Sequence, residues 1–252
     1  MSRYCVQATW NDAPHLTEDQ KRQLWDAIPP HQRDARSKGI PTLGSGAIYP
    51  IAEADIICAP FEIPVHFRKV YGLDVGWNRT AALWAAVDDD TDTTYLYAEH
   101  YRGQAEPVVH VESIKRQGVW IPGVIDPASR GKSQTDGTQL LKQYVELGLK
   151  VSMADNSVEA GIFDVWRRLS TGRLKVFRTL HNFLAEFRIY RRDERGAVVK
   201  ENDHLMDCCR YVCRSGIALA AQPPASEWGR MKGFSRPKHE FDYDPFNADW
   251  RG

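Results

Sequence analysis

The chain has 252 residues, of which 42% are hydrophobic and 26% charged, so it can form one sizeable core with some length left for appended segments. No stretch approaches the roughly 18 consecutive apolar residues of a membrane span, and no charged segment followed by an apolar run opens the chain. Lysine and arginine total 33, as do aspartate and glutamate, and this zero net charge argues against a protein that holds nucleic acid by bulk charge alone.

Residues 1–67 are irregular and punctuated by prolines, which is typical of an arm or linker packed on a domain. They contain one clear helix signal. Thr17 followed by Gln20 forms a capping box, and Pro29-Pro30 ends the helix that it begins.

Residues 68–216 carry the pattern of one mixed domain. Strands are predicted over 70–76, 80–87, 94–101, 123–126, 150–153 and 174–177, and helices over 108–117, 139–147, 158–169, 180–187 and 204–213. A hairpin is expected over 189–200. The second and third strands are joined by a polar turn and must be antiparallel. The fold class is therefore α/β, a mixed sheet whose first three strands are antiparallel and whose helices lie on both faces. Residues 217–252 form an aromatic-rich tail.

Two aspartates belong to predicted buried strands, Asp74 inside the first and Asp126 at the end of another. Asp74 lies within Gly72-Leu-Asp-Val-Gly, where a charge is costly unless it is paired or bound to a metal. Asp126 closes the strand 123–126, just before Pro127, and the end of such a strand is a common place for a functional group. A solvated or capping role remains open for each aspartate taken alone.

A second acidic pair lies on the last helix. Asp203 and Asp207 are four residues apart and share a helical face, although Asp203 is also a natural N-cap. Carboxylates converging from two strands and a helix suit hard divalent cations, because Mg²⁺ prefers oxygen ligands. Two such ions about 3.5–4 Å apart can hold the attacking and leaving oxygens of a phosphodiester.

These residues resemble the nuclease domain of phage terminase large subunits, which has a ribonuclease H-like fold. The resemblance extends from about residue 10 to residue 216. It is carried by the segments that begin at Tyr71 (Tyr-Gly-Leu-Asp-Val-Gly-Trp-Asn-Arg-Thr), Val124 (Val-Ile-Asp-Pro-Ala-Ser-Arg-Gly), Ala154 (Ala-Asp-Asn-Ser-Val-Glu-Ala-Gly) and Glu201 (Glu-Asn-Asp-His-Leu-Met-Asp-Cys-Cys-Arg-Tyr). It implies a DNA endonuclease that cuts concatemeric viral DNA during packaging, in the cytoplasm of the host cell.

The resemblance also assigns roles to residues. Asp74, Asp126 and Asp207 match the catalytic metal ligands for two Mg²⁺ or Mn²⁺ ions, and Asp203 and His204 match neighbours that assist. Basic residues near the site and in the hairpin are expected to contact DNA phosphates; they are Arg79, Arg130, Lys132, Arg188, Arg191, Arg192 and Lys200. The expected partners are double-stranded DNA, the portal or procapsid and the small terminase subunit.

Several competing signals are weaker. Gly131-Lys-Ser resembles the end of a P-loop, but Asp126 stands where that motif requires glycine, so we expect no ATP site here and a preceding ATPase motor outside the chain. His204 and the cysteines Cys208, Cys209 and Cys213 lack a second cluster to complete a zinc site, so buried, reduced thiols are expected instead. His100 is expected to be structural.

Two other functions remain open. One is a ribonuclease H-like resolvase or RNA-cleaving nuclease, which substrate competition would distinguish. The other is a non-catalytic module that docks on the portal or procapsid through the tail, for which no metal-dependent activity is expected.

Overall fold

The computed structural model describes residues 9–27, 37, 46–127 and 140–225. Within these ranges one seven-stranded sheet has the order β1-β7-β4-β3-β2-β5-β6. Its strands are β1 (Ile57–Cys58), β2 (Arg68–Asp74), β3 (Thr80–Asp88), β4 (Thr93–Arg102), β5 (Gly123–Ile125), β6 (Val151–Met153) and β7 (Leu174–Phe177). β2, β3 and β4 pair antiparallel, and the other neighbours pair parallel. The predicted mixed sheet with three antiparallel strands is confirmed.

Helices cover both faces of this sheet. In the described ranges they are α1 (Glu18–Ala27), α2 (Glu53–Ile56), α3 (Pro107–Gln117), α4 (Leu140–Glu146), α5 (Val158–Ser170), α6 (His181–Ile189), α7 (His204–Tyr211) and α8 (Ile217–Leu219). One core lies between the sheet and helices α5, α6 and α7. A second core lies on the opposite face, against α3 and α4. None of the described helices is long and apolar enough to cross a bilayer.

The centre of the sheet is formed by β3. Eight of its nine residues are buried, because its side chains contact a helical layer on each face. A strand that is buried on both faces has a continuous run of apolar residues, whereas a half-buried strand alternates apolar and polar residues. The strand β2 beside it is buried from Val70 to Leu73 and ends at Asp74. Asp74 therefore lies at the edge of the sheet, where the apolar interior ends.

The capping box before α1 is confirmed. The amide of Gln20 donates to Oγ1 of Thr17 at 3.3 Å, and the amide of Thr17 donates to Oε1 of Gln20 at 2.9 Å. Pro29 and Pro30 lie outside the described residues.

Part of the predicted N-terminal arm belongs to the sheet. Ile57 and Cys58 form β1, which pairs parallel with β7, and the nearby Ile48 and Tyr49 are buried in the core. The sequence did not indicate this strand, because two residues are too few for a periodic pattern. One strand of the sheet, β1, thus precedes residue 67, where the sequence predicted the boundary between the arm and the domain. That boundary stays a prediction.

The last predicted helix differs in its ending. Its α-helical part stops at Tyr211 and continues as a π-helical turn, Val212–Gly216. Gly216 lies against Val70 and Val124, where an added Cβ would meet both side chains at 3.3 Å. The predicted tail also begins with structure, since Ala221 pairs with Lys69 of β2.

Candidate metal and active site

The ends of two neighbouring strands place Asp74 and Asp126 side by side. β2 and β5 run parallel with Leu73 opposite Ile125, and the amide of Asp126 continues this register by donating to the carbonyl of Leu73 at 3.0 Å. Parallel strands end at the same edge of a sheet, so both carboxylates emerge there. The sequence predicted Asp126 at the end of its strand, but it placed Asp74 inside a strand that reaches Gly76, whereas β2 ends at Asp74.

A close backbone contact brings the last helix to the same place. An added Cβ at Gly72 would lie 2.4 Å from the carbonyl oxygen of Cys208, so only glycine allows α7 to approach β2 this closely. The buried thiol of Cys208 donates to the carbonyl of Ala81 at 3.3 Å. The residue before it, Asp207, is thereby directed toward the end of β2.

The pKa of Asp74 is affected by side chains from the other two elements. Burial raises the pKa of Asp74 above its usual value, and the neighbouring carboxylates Asp207 and Asp126 raise it further. His204 acts in the opposite direction, because its Nδ1 lies 2.7 Å from Oδ2 of Asp74. The hydrogen bond with Asp74 in turn raises the pKa of His204. The structure thus groups Asp74, Asp126, Asp207 and His204, and we call this group the acidic pocket.

Lys200 extends the acidic pocket to Asp203. Nζ of Lys200 lies 3.1 Å from Oδ2 of Asp203 and 3.2 Å from Oδ2 of Asp207, and both aspartates are largely buried, with side-chain exposures of 10% and 14%. Asp203 holds the N-cap position of α7, but its side chain makes no capping hydrogen bond. Its carboxylate instead faces a cationic group together with Asp207.

Arg210 is a site residue that sequence reasoning missed. It is only 1% exposed, and its Nε and Nη2 lie 3.1 Å and 2.7 Å from Oδ1 of Asp207. One oxygen of Asp207 is therefore fixed by Arg210, while the other faces Lys200. The i, i+3 spacing of Asp207 and Arg210 on one helix was the available signal.

The donor chemistry of the acidic pocket suits a hard divalent cation. Asp74, Asp126 and Asp207 offer carboxylate oxygens from three separate elements. Burial first, and then the charges of Asp207 and Asp126, raise the pKa of Asp74, and a cation would compensate those charges. Within the described ranges, no three His, Cys, Asp or Glu side chains form a ready metal-binding group. In this arrangement His204, Lys200 and Arg210 provide the compensating charge or hydrogen bonds.

The predicted DNA-contact residues differ in their surroundings. Arg188 and Arg192 have carboxylate partners: Arg188 lies 2.6 Å from Glu53, and Arg192 lies 2.7 Å from Glu159. Arg79 stacks on the ring of Tyr101 with 4.3 Å between guanidinium carbon and ring centroid, and Lys200 belongs to the acidic pocket. Arg191 is exposed in the hairpin, which is confirmed by the bridge between Arg192 and Val198. Arg130 and Lys132 lie outside the described residues.

His100 lies away from the acidic pocket. His100 pairs with Ala82, and Ala82 pairs with Leu73, so these three side chains lie on one face of the sheet. Asp74 follows Leu73 in its strand and therefore lies on the opposite face. Nε2 of His100 lies 2.9 Å from Nδ1 of His110. A structural role, as predicted, agrees with this contact.

Comparisons with known proteins match this architecture. A family model described as the terminase RNase H-like domain matches residues 71–215. The terminase large subunit of Enterobacteria phage LP7 is 38% identical over 220 residues, covering 83% of this chain and 46% of that protein. The solved nuclease domain of the phage P22 large terminase is 34% identical, with a TM-score of 0.65, covering 72% of this chain and 97% of that chain.

A more distant structure shares the fold alone. The large terminase nuclease of thermophilic phage G20c, solved with bound magnesium, is 15% identical with a TM-score of 0.51, covering 68% of this chain and 98% of that chain. The present chain spans about half the length of the curated relatives it matches. Together these matches confirm the predicted ribonuclease H-like fold and the resemblance on which that prediction was based.

Proposed function

The chain belongs to the family of terminase RNase H-like domains, and on that premise we propose that it hydrolyses phosphodiester bonds of duplex DNA at the acidic pocket. The observation that carries the proposal is the convergence of Asp74, Asp126 and Asp207 from β2, β5 and α7. Three carboxylates at one end of a sheet concentrate negative charge that needs compensation, and divalent cations with a bound phosphate supply it.

Each carboxylate has a separate task in this proposal. Asp74, Asp126 and Asp207 would hold the cations, with Asp203 in support. Mg²⁺ or Mn²⁺, when bound, would activate water and stabilise charge on the phosphate oxygens. The G20c nuclease was solved with bound magnesium, which supports a divalent ion in a protein of this fold.

The surrounding residues orient these carboxylates. His204 bonds Asp74, and Arg210 fixes one oxygen of Asp207, so neither side chain is free to rotate away. Lys200, at the end of the hairpin, supplies a positive charge that a DNA phosphate could share with the acidic pair. Contacts of this kind carry no sequence information, so we propose cleavage of low sequence specificity.

The names of the relatives support the biological role that we propose. The LP7 and P22 proteins are named as terminase large subunits. We infer that the protein takes part in cutting concatemeric phage DNA during packaging, together with a small subunit and a portal or procapsid.

Plasmid cleavage tests the activity directly. Supercoiled plasmid is incubated with Mn²⁺, Mg²⁺ or EDTA and with the wild type, Asp74→Ala or Asp90→Ala. Asp90 lies exposed in the β3–β4 turn and serves as the matched aspartate control. We expect metal-dependent nicking and linearisation by the wild type and Asp90→Ala, and loss in Asp74→Ala. Cleavage that survives in Asp74→Ala would reject this site.

Substrate competition separates the proposed substrate from its alternatives. Labelled duplex DNA is cleaved in the presence of unlabelled duplex, RNA–DNA hybrid or four-way junction. We expect duplex DNA to compete best. Stronger competition by the junction or the hybrid would favour a resolvase or an RNA-cleaving nuclease, and no cleavage with any metal would favour a docking module.

A further inference from the structure

The N-terminus of α7 is capped by a carboxylate from a different helix. Glu186 of α6 is 3% exposed, and its Oε2 accepts hydrogen bonds from the amides of Leu205 at 2.6 Å and Met206 at 3.3 Å. These are the second and third residues of α7, whose amides have no carbonyl partner within the helix. Glu186 therefore performs the role that an N-cap side chain normally performs.

The residue that occupies the N-cap position is thereby released from capping. Aspartate is among the most favourable N-cap residues, yet the side chain of Asp203 makes no capping bond. Its Oδ2 lies instead 3.1 Å from Nζ of Lys200, which also contacts Asp207. If the amides of Leu205 and Met206 lost Glu186, Asp203 would hold the N-cap position from which a side chain normally accepts hydrogen bonds from such amides.

Tyr101 fixes the orientation of Glu186. Its hydroxyl donates to Oε1 of Glu186 at 2.7 Å, so each oxygen of this buried carboxylate has a partner. Tyr101 lies in β4 opposite Ala81, and Ala81 lies opposite Asp74, so Tyr101 and Asp74 share one face of the sheet. The cap of α7 is thus tied to the strands that form the acidic pocket.

We propose that Glu186 is a positioning residue for the acidic pocket: it caps α7 from outside, so that the carboxylate of Asp203 stays turned away from the cap and toward Lys200 and Asp207, where it would face a bound cation. This inference rests on the proposed function, because the cation is the one that the function requires. Glu186 acts through α7, which carries His204 and Asp207 as well as the preceding Asp203.

Amide hydrogen exchange tests the cap without any metal or DNA. We expect Glu186→Ala to expose the amides of Leu205 and Met206 to faster exchange than in the wild type. Glu186→Gln should keep them protected, because its amide oxygen still accepts from α7 and its NH₂ can donate to the hydroxyl oxygen of Tyr101. Unchanged protection of the two amides in Glu186→Ala would overturn the proposal. If the alanine variant fails to fold, Glu186→Gln is measured in its place, and faster exchange of the two amides in that variant would overturn the proposal.

Metal affinity tests the consequence for the pocket. Mn²⁺ binding is measured by calorimetry without DNA, and we expect Glu186→Ala to weaken it by roughly tenfold or more, as the loss of a supporting residue typically does. Ile114→Val is the control, since Ile114 is buried in the core on the opposite face of the sheet. It should lower the melting temperature by roughly 2–4 °C and leave the Mn²⁺ affinity unchanged. If Glu186→Ala and Ile114→Val lost the same Mn²⁺ affinity, Glu186 would act only through the general stability of the fold, and the proposal would be overturned.

A double variant tests the release of Asp203. Asp203→Asn alone should weaken Mn²⁺ binding, but it should add little in the Glu186→Ala background, where Asp203 has already turned to the cap. Fully additive losses would overturn this part of the proposal. A wild type that binds no Mn²⁺ would count against the proposed function itself, whereas the exchange experiment would still decide whether Glu186 caps α7.

Discussion

Nδ1 of His204 lies 2.7 Å from Oδ2 of Asp74, so the last helix and the first core strand are joined directly at the acidic pocket. These residues are 130 positions apart in the chain. The contact fixes one oxygen, Oδ2, of the carboxylate at the end of β2. A supporting hydrogen bond of this kind orients a metal ligand without itself binding the metal.

Removing this partner should weaken metal binding. We expect His204→Ala to lower Mn²⁺ affinity by roughly 10–100-fold, because the carboxylate of Asp74 would lose its fixed orientation. Calorimetric titration of the DNA-free protein measures the effect. His100→Ala is the control histidine, since it lies on the other face of the sheet. Tighter Mn²⁺ binding by His204→Ala would show instead that His204 competes with the cation.

Gly72→Ala should displace α7. The added Cβ would lie 2.4 Å from the carbonyl oxygen of Cys208, and backbone atoms cannot move away cheaply. We expect a loss of about 1–3 kcal/mol in the free energy of unfolding, with weaker metal binding. Urea denaturation and Mn²⁺ titration measure the two effects. At Gly172 nothing lies closer than 3.9 Å, so Gly172→Ala should cost only the strain of its positive φ and keep the metal affinity. A Gly72→Ala protein with normal stability would contradict this close approach.

The basic residues should separate into DNA contacts and structural partners. Lys200→Ala and Arg191→Ala should each weaken DNA binding and reduce the slope of log affinity against log salt by about 1. Arg188→Ala should leave DNA binding unchanged and change stability little, since Arg188 pairs with Glu53 in an exposed ion pair. Fluorescence anisotropy in EDTA at several salt concentrations measures binding without cleavage. A loss of DNA affinity in Arg188→Ala would show that phosphate displaces Glu53.

The histidine pair of the opposite face should make stability depend on pH. Burial lowers the pKa of His100 to about 4, with contributions from His110 and Arg102, and burial also lowers the pKa of His110. Between pH 6.5 and 4 the unfolded chain therefore binds more protons than the folded one. The stabilisation is fully present above pH 6.5 and is lost as the pH falls toward 4.

We expect this loss to reach about 1 kcal/mol for His100, after allowance for its partial exposure to solvent. The free energy of unfolding, measured in urea from pH 7.5 to 4.5, should fall less steeply in His100→Gln than in the wild type. Identical pH profiles for the two proteins would refute a buried, neutral pair.

The sequence determined those features that depend on local pattern. Apolar runs and alternation predicted six of the seven strands in the described ranges, and the capping box predicted the start of α1. Asp74 could be assigned to a strand and Asp126 to the end of one because each has apolar neighbours in the sequence. The spacing of Asp203 and Asp207 placed them on one helical face.

The tertiary structure alone decided which distant groups meet. β1 is recognisable only by its pairing with β7. Asp203 has the sequence of an N-cap, yet Glu186, 19 residues before Leu205, takes that role. Arg188 resembles a phosphate contact in sequence and pairs with Glu53, 135 residues away. The period of a helix or strand is set by bonds between near neighbours, whereas these pairings are set by how the layers pack, and no local pattern records that packing.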